Sequence, residues 1–258
     1  MPFAAVNGIE LYYEVHGPEK PLTDPVVFAH GAGGSHLSWW QQVPHFAGTH
    51  TCVTFDHRGY GQSIDAPGGP GGGSYVEDLR GLLDHLGIER ANLVAQSMGG
   101  WTCLGFALRY PGRVRRLVMA DTHGGLQSPE IGAAFASAAR PALPPGVHPA
   151  AGARMAAEQP ALAFLYAQID ALNRPRTQAE LLAMLAAAGA PTAEEVSTLE
   201  IPVLFIVGEE DAVIPPRVIE AAARLVPGAR VEGVPAAGHS VYFERPGRFN
   251  ELVEQFLA

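Results

Sequence analysis

The sequence predicts an α/β fold: a mostly parallel central sheet flanked by helices, with an inserted helical cap. Three observations predict it. Short apolar runs alternate with helical stretches along most of the 258 residues, as a sheet covered on both faces requires. The alternation stops between about Ser128 and Val196, where an alanine-rich stretch carries helix starts but no convincing strand. The chain is 47% apolar and 17% charged, which supports one large core and excludes disorder. The expected division is a core domain in two parts, 1–127 and 197–258, around a cap at 128–196.

The elements follow in order. Phe3–Val6 and Ile9–His16 form a hairpin, because Asn7-Gly8 tolerates the positive φ angles of a tight turn. Strands are expected at Val26–Phe28, Thr51–Phe55, Asn92–Ala95, Arg116–Ala120, Val203–Val207 and Arg230–Val234. Helices are expected near Trp39–Phe46, Tyr75–Leu86, Gly99–Tyr110, Pro216–Val226 and Gly247–Leu257. Ser74 and Glu77 have capping-box spacing, and Gly87 ends that helix. Phe249, Leu252, Val253, Phe256 and Leu257 share one face of the last helix and dock it on the sheet. In the cap, Ser128-Pro129, Thr177 with Glu180 and Thr192 with Glu195 start helices. Breaks at Pro141, Pro144-Pro145, Pro160, Pro175 and Pro191 divide it into about four. Gly68–Gly73 lacks a preceding strand and a following Lys-Ser/Thr, so it reads as a flexible surface loop rather than a phosphate cradle.

The net charge of -9, with Lys20 the only lysine, argues against nucleic acid or an anionic membrane as partner. The two cysteines, Cys52 and Cys103, lie in apolar contexts and read as reduced, buried side chains. No basic-then-apolar leader and no membrane-spanning window is seen, so the expectation is a soluble cytoplasmic protein. The histidines form no tight metal cluster, and neither a metal nor a cofactor is expected.

Chemistry centres on Ala95-Gln96-Ser97-Met98-Gly99-Gly100. A strand runs into it and a helix leaves it, so the chain must reverse within about one residue at Ser97. Small neighbours allow that reversal, which lifts the hydroxyl clear of the sheet as a nucleophile elbow. A strand-to-helix turn with a serine cap would carry the same short motif, so the other loops decide. A serine needs a positioned base, and His239 follows the last strand, on the sheet edge that also carries Ser97. An imidazole needs a partner for its other nitrogen. Asp211 follows the preceding strand and should point inward, ahead of the rivals Glu209, Glu210 and Asp121. Oxyanion donors are expected from the backbone N–H of Ala32, rather than Gly33, in His30-Gly31-Ala32-Gly33-Gly34, and from that of Met98. His30 would brace its loop.

These elements, in the order His-Gly loop, Ser, Asp, His, make the chain resemble the α/β-hydrolase superfamily. Asp56-His57-Arg58-Gly59-Tyr60-Gly61-Gln62-Ser63 looks like that family's D-x-R-G-x-G-x-S turn, with Arg58 as a structural brace. Ala95 departs from the G-x-S-x-G pattern, but a methyl group fits the turn. The resemblance implies a carboxylesterase acting on small or medium apolar acyl esters, with no cofactor. Its alternatives are an enol-lactonase or carbon–carbon bond hydrolase acting on carboxylate-bearing substrates, and a cofactor-free perhydrolase. A carboxylate-bearing substrate would need an inward arginine, from Arg140, Arg154, Arg174 or Arg176. The carbon–carbon hydrolases usually carry Trp after the histidine, where this chain has Ser240. A serine nucleophile argues against dehalogenases and epoxide hydrolases, which use Asp. The remaining class is a ligand receptor on the same fold. His36, Trp40, Trp101 and His123 flank the expected pocket and are candidate substrate contacts.

Overall fold

The computed structural model describes residues 2–18, 23–139 and 143–258. Lys20, Arg140 and the break at Pro141 lie outside the described residues.

Eight strands form one sheet: β1 (Phe3–Val6), β2 (Ile9–His16), β3 (Val26–Ala29), β4 (Cys52–Phe55), β5 (Ala91–Gln96), β6 (Val114–Ala120), β7 (Val203–Gly208) and β8 (Arg230–Val234). Their order is β1-β2-β4-β3-β5-β6-β7-β8. The hairpin pairs antiparallel, β2 joins β4 antiparallel, and every later pairing is parallel. Along the central strands alternate residues face opposite layers. Val27, Leu93, Leu117 and Phe205 meet one core, while Phe28, Val94, Val118 and Leu204 meet the other.

The first core is closed by α2 (Tyr75–His85), α3 (Gly99–Arg109) and α9 (Pro216–Leu225). The second is closed by α1 (Val43–Phe46), α10 (Val241–Glu244) and α11 (Pro246–Leu257). Cys52 and Cys103 are buried and free, one in each core. The stretch expected as one helix near Trp39–Phe46 is a 3-10 turn at His36–Trp39 followed by α1. The short α10, ahead of α11, carries no periodic signal in four residues and was not foreseen.

Between β6 and β7 run α4 (Pro129–Ser137), α5 (Gly152–Glu158), α6 (Pro160–Ala171), α7 (Gln178–Ala188) and α8 (Ala193–Val196), five helices among the described residues where about four were expected. Ser128, Thr177 and Thr192 cap α4, α7 and α8 as their spacing implies, the last two in full capping boxes. The Ser74–Glu77 box is not made. Residues Gly71–Ser74 form a 3-10 turn that runs straight into α2, so Ser74 is not extended (φ -104, ψ -3). Glu77 instead binds Arg80, Arg109 and Tyr110. That turn also corrects the expectation of a flexible loop: Gly72 is buried under α7, and the Met184 carbonyl fills the space a Cβ would take. Among the described residues no helix is long and apolar enough to cross a membrane.

Arg58 is buried and spans three segments. It donates to Asp78 through Nε (2.8 Å) and Nη2 (2.7 Å), to Asp65 (3.0 Å) and to the Asn7 carbonyl (3.0 Å). Such a bidentate pair orders the loop that carries Tyr60.

Candidate active site

The order reversal at β3 and β5 opens a crevice at the carboxyl ends of these strands, and the loops carrying the chemistry converge there. Ser97 adopts φ +48, a left-handed conformation that costs a serine about 1–3 kcal/mol and is held by its surroundings. Its N–H donates to the Ala120 carbonyl (3.0 Å), and its carbonyl accepts from Gly100 (2.8 Å). At Gly99, the Ala29 carbonyl occupies the place of a Cβ, so only glycine lets α3 start so close to β3.

His239 lies 2.9 Å through Nε2 from Ser97 Oγ and 2.8 Å through Nδ1 from Asp211 Oδ2. Asp211 Oδ1 accepts from the Val213 and Ile214 N–H groups (2.8 and 2.9 Å), which fixes the carboxyl in the turn before α9. With Nδ1–H donating to Asp211, Nε2 is left to accept the serine proton. Burial lowers the His239 pKa, but the charge and hydrogen bond of Asp211 outweigh it and raise the value above the ordinary imidazole range.

The rivals for the acid position stand elsewhere. Glu209 and Glu210 are exposed, and Glu210 is paired with Arg154 (2.6 Å). Asp121 is fully buried, but its oxygens accept from the backbone of Gly208 (3.0 Å) and Val241 (3.0 Å). Burial first, then the nearby Asp211 charge, pushes its pKa up to about 8.

The N–H groups of Ala32 and Met98 have no acceptor among the described residues, although Met98 is buried. Both are therefore available to an oxyanion beside Ser97. His30 braces the Ala32 loop. It is fully buried, its Nδ1–H donates to the Gly31 carbonyl (2.7 Å), and its Nε2 accepts from the His57 N–H (2.9 Å). Burial holds it neutral, with a pKa lowered to about 4.

A cavity of about 630 Å³ lies over Ser97 and His239, walled by Ala32, Tyr60 and Gln96 from the core and by Tyr166, Arg174 and Arg176 from the cap. His36, Trp40, Trp101 and His123 do not line it, which corrects the expected contacts. His36 is turned to Asp56 (2.8 Å). Trp40 is exposed, with its edge on Phe243. Trp101 and His123 meet edge to face at 4.9 Å between ring centres, and His123 also meets Phe135.

Sequence reasoning missed the residues that hold the cap in place. Asn173 donates to the Gly33 carbonyl (2.8 Å) and accepts from the Gly61 N–H (2.8 Å), so one amide joins the cap to two core loops. Ser240 Oγ donates to the Ala150 carbonyl (2.7 Å). A lone Asn after a helix carries no signal that would have found it. Among the described residues no group of three or more His, Cys, Asp or Glu side chains could hold a metal ion.

Known proteins share this architecture along their whole length. A RutD protein of Caulobacter segnis, named for carbamate hydrolysis, is 30% identical over 100% of this chain and 99% of its own length. The crystal structure of the enol-lactonase from Burkholderia xenovorans LB400 superposes with a TM-score of 0.79 at 27% identity, covering 99% of both chains. That of a thermophilic esterase from Thermogutta terrifontis gives 0.78 at 27% identity, covering 100% of this chain and 96% of the other. The model of the alpha/beta hydrolase fold matches residues 24–246, and the chain belongs to that family.

Proposed function

We propose that the chain is a serine hydrolase that cleaves carboxylic esters of small to medium apolar acyl groups, with Ser97, His239 and Asp211 as its catalytic residues. The observation that carries this reading is the pair of hydrogen bonds made by His239, to Ser97 and to Asp211, on the floor of the cavity. His239 Nε2 takes the Ser97 proton as Oγ attacks the ester carbonyl, and the oxyanion is held by the Ala32 and Met98 N–H groups. His239 returns the proton to the leaving alcohol, which leaves an acyl-enzyme. It then deprotonates a water that releases the acid and restores Ser97. The carbonyl of a carbamate, for which the RutD relative is named, would meet the same groups.

The test is a hydrolysis panel of chromogenic esters of rising chain length, with fluorophosphonate labelling mapped by mass spectrometry. Short-chain turnover and modification at Ser97 are expected. A chain that neither turns over nor labels is a ligand receptor. The pH profile of kcat/KM is a separate check. Protonated imidazole cannot accept the serine proton, so activity falls as pH drops through the raised His239 value. The acid limb is thus expected on the alkaline side of free imidazole; an acid limb below that range contradicts the assigned base.

One observation favours a second reading, an ester or lactone that carries a carboxylate. Arg174 and Arg176 both line the cavity. Arg174 is paired with Glu180 (3.2 Å), and Arg154 is spent on Glu158 and Glu210. Arg176 has no carboxylate partner among the described residues; it lies 4.0 Å over the Tyr60 ring and donates to the Gly59 carbonyl. On this reading Arg176→Ala raises KM for a carboxylate-bearing lactone by about tenfold, the loss of one charge-assisted hydrogen bond. KM for a neutral ester stays put. Equal KM changes for both substrates leave the first reading alone.

A further inference from the structure

His239 stands on a stretch, 235–240, with no helix or strand of its own. A base there keeps its aim only if something holds the backbone on both sides of it. Glu244, on α10 directly after this stretch, is 2% exposed and folds back beneath it. Its Oε1 accepts from the Gly238 N–H at 3.0 Å and from the Ser240 N–H at 3.3 Å, the two residues that flank His239. A Cβ on Gly238 would stand 3.1 Å from that oxygen, so a glycine lets the carboxyl approach. The other oxygen, Oε2, has no partner among the described residues. A buried carboxyl with one idle oxygen is a poor stability device, because an apolar side chain of similar volume would avoid its desolvation cost. What the carboxyl supplies is one acceptor shared by two N–H groups.

We propose that Glu244 is a positioning residue for the base, clamping both flanks of His239 so that Nε2 stays within reach of Ser97 Oγ. This rests on the reading of His239 as the base in ester cleavage. Other holds act on the same loop: Gln96 Nε2 donates to the His239 carbonyl (2.9 Å), Ser240 Oγ to the Ala150 carbonyl (2.7 Å) and the Glu210 N–H to the Ala237 carbonyl (2.9 Å), and Asp121 accepts from Val241. Among the described residues, only Glu244 accepts from the backbone N–H groups on both sides of the imidazole.

Charge supplies an independent signature. Burial pushes the Glu244 carboxyl up to about 7, partly offset by its two N–H donors and by Arg245, and reinforced by Asp211. His239, Tyr166 and Tyr242 are its other titratable neighbours. The paired Arg154 and Glu210 face it across a second cavity of about 310 Å³, which Glu244 and His239 both line. A negative Glu244 favours the imidazolium. Replacing it by a neutral amide that still accepts both N–H groups lowers the His239 pKa and leaves the clamp in place.

The experiment uses the full chain with Glu244→Gln and Glu244→Leu, a short-chain chromogenic ester, and NMR titration of the His239 ring. Glu244→Gln is expected to keep kcat near wild type while the acid limb and the His239 titration both move to lower pH. Glu244→Leu is expected to lower kcat by about 10²-fold, the effect of a misaimed base, with KM little changed. A folded Leu variant with wild-type kcat overturns the clamp. If the Leu variant does not fold, a Glu244→Gln variant whose kcat falls by about 10²-fold, although both N–H groups keep their acceptor, overturns it. A wild type that is inert to every ester, yet whose Gly238 and Ser240 amide protons lose exchange protection in Glu244→Leu and keep it in Glu244→Gln, sinks the ester reading and still supports the clamp.

Discussion

Replacing Ser97 by alanine is expected to lower kcat on a short-chain ester by about 10⁶. The loss is this large because, in the proposed mechanism, the hydrogen-bonded Ser97, His239 and Asp211 act as one relay, in which the base without its nucleophile has nothing to activate but water. What remains is the rate that the free N–H groups of Ala32 and Met98 and substrate binding supply by themselves. Stability should barely move, since alanine meets the same left-handed backbone that serine does (φ +48). The variant should also take up no fluorophosphonate. Near-wild-type hydrolysis by folded Ser97→Ala would remove the whole scheme.

Asp211→Asn is expected to cost about 10⁴ in kcat while leaving the geometry almost intact. An asparagine oxygen still accepts from Val213 and Ile214, but its NH2 then faces His239 Nδ1. A donor there drives the imidazole proton onto Nε2, where it blocks transfer from Ser97. Asp121→Asn is the control. It leaves the Asp211–His239 bond untouched and disturbs only the loops tied to Gly208 and Val241. Its loss should be much the smaller, measured as kcat at a pH above the His239 limb. Equal losses would move the acid role away from Asp211.

The strands and the loops at their carboxyl ends were legible because their constraints are local. An apolar run, a small residue at a reversal or a proline at a helix start declares itself within a few positions, as at Ser97 and before α9. Asp211 could be preferred to Glu210 for the same reason, since the turn alone aims it inward. Thr177 and Thr192 marked their helices equally well. Ser74 misled because its capping signal competes with a 3-10 turn that exists only where Gly72 meets α7. The pocket walls were misread in the same way. Trp101 and His123 pack on each other outside the cavity wall, while Tyr60 and Arg176, over a hundred residues apart, meet within it. Contacts made across such separations leave no local trace, so the chemistry could be read from the chain more fully than the substrate.

The single amide of Asn173 has a consequence for how such enzymes diversify. It bonds both to the loop that carries Ala32 and to the turn at Gly61, so the insertion fixes the loops on which the proposed oxyanion donors depend. A cap transplanted from a relative would therefore bring a new acyl preference and a loosened electrophile cradle together, unless this amide travelled with it. Specificity here is inherited in units larger than the pocket lining, and the exchangeable module is the cap together with the core loops at Gly33 and Gly61 that its Asn173 binds.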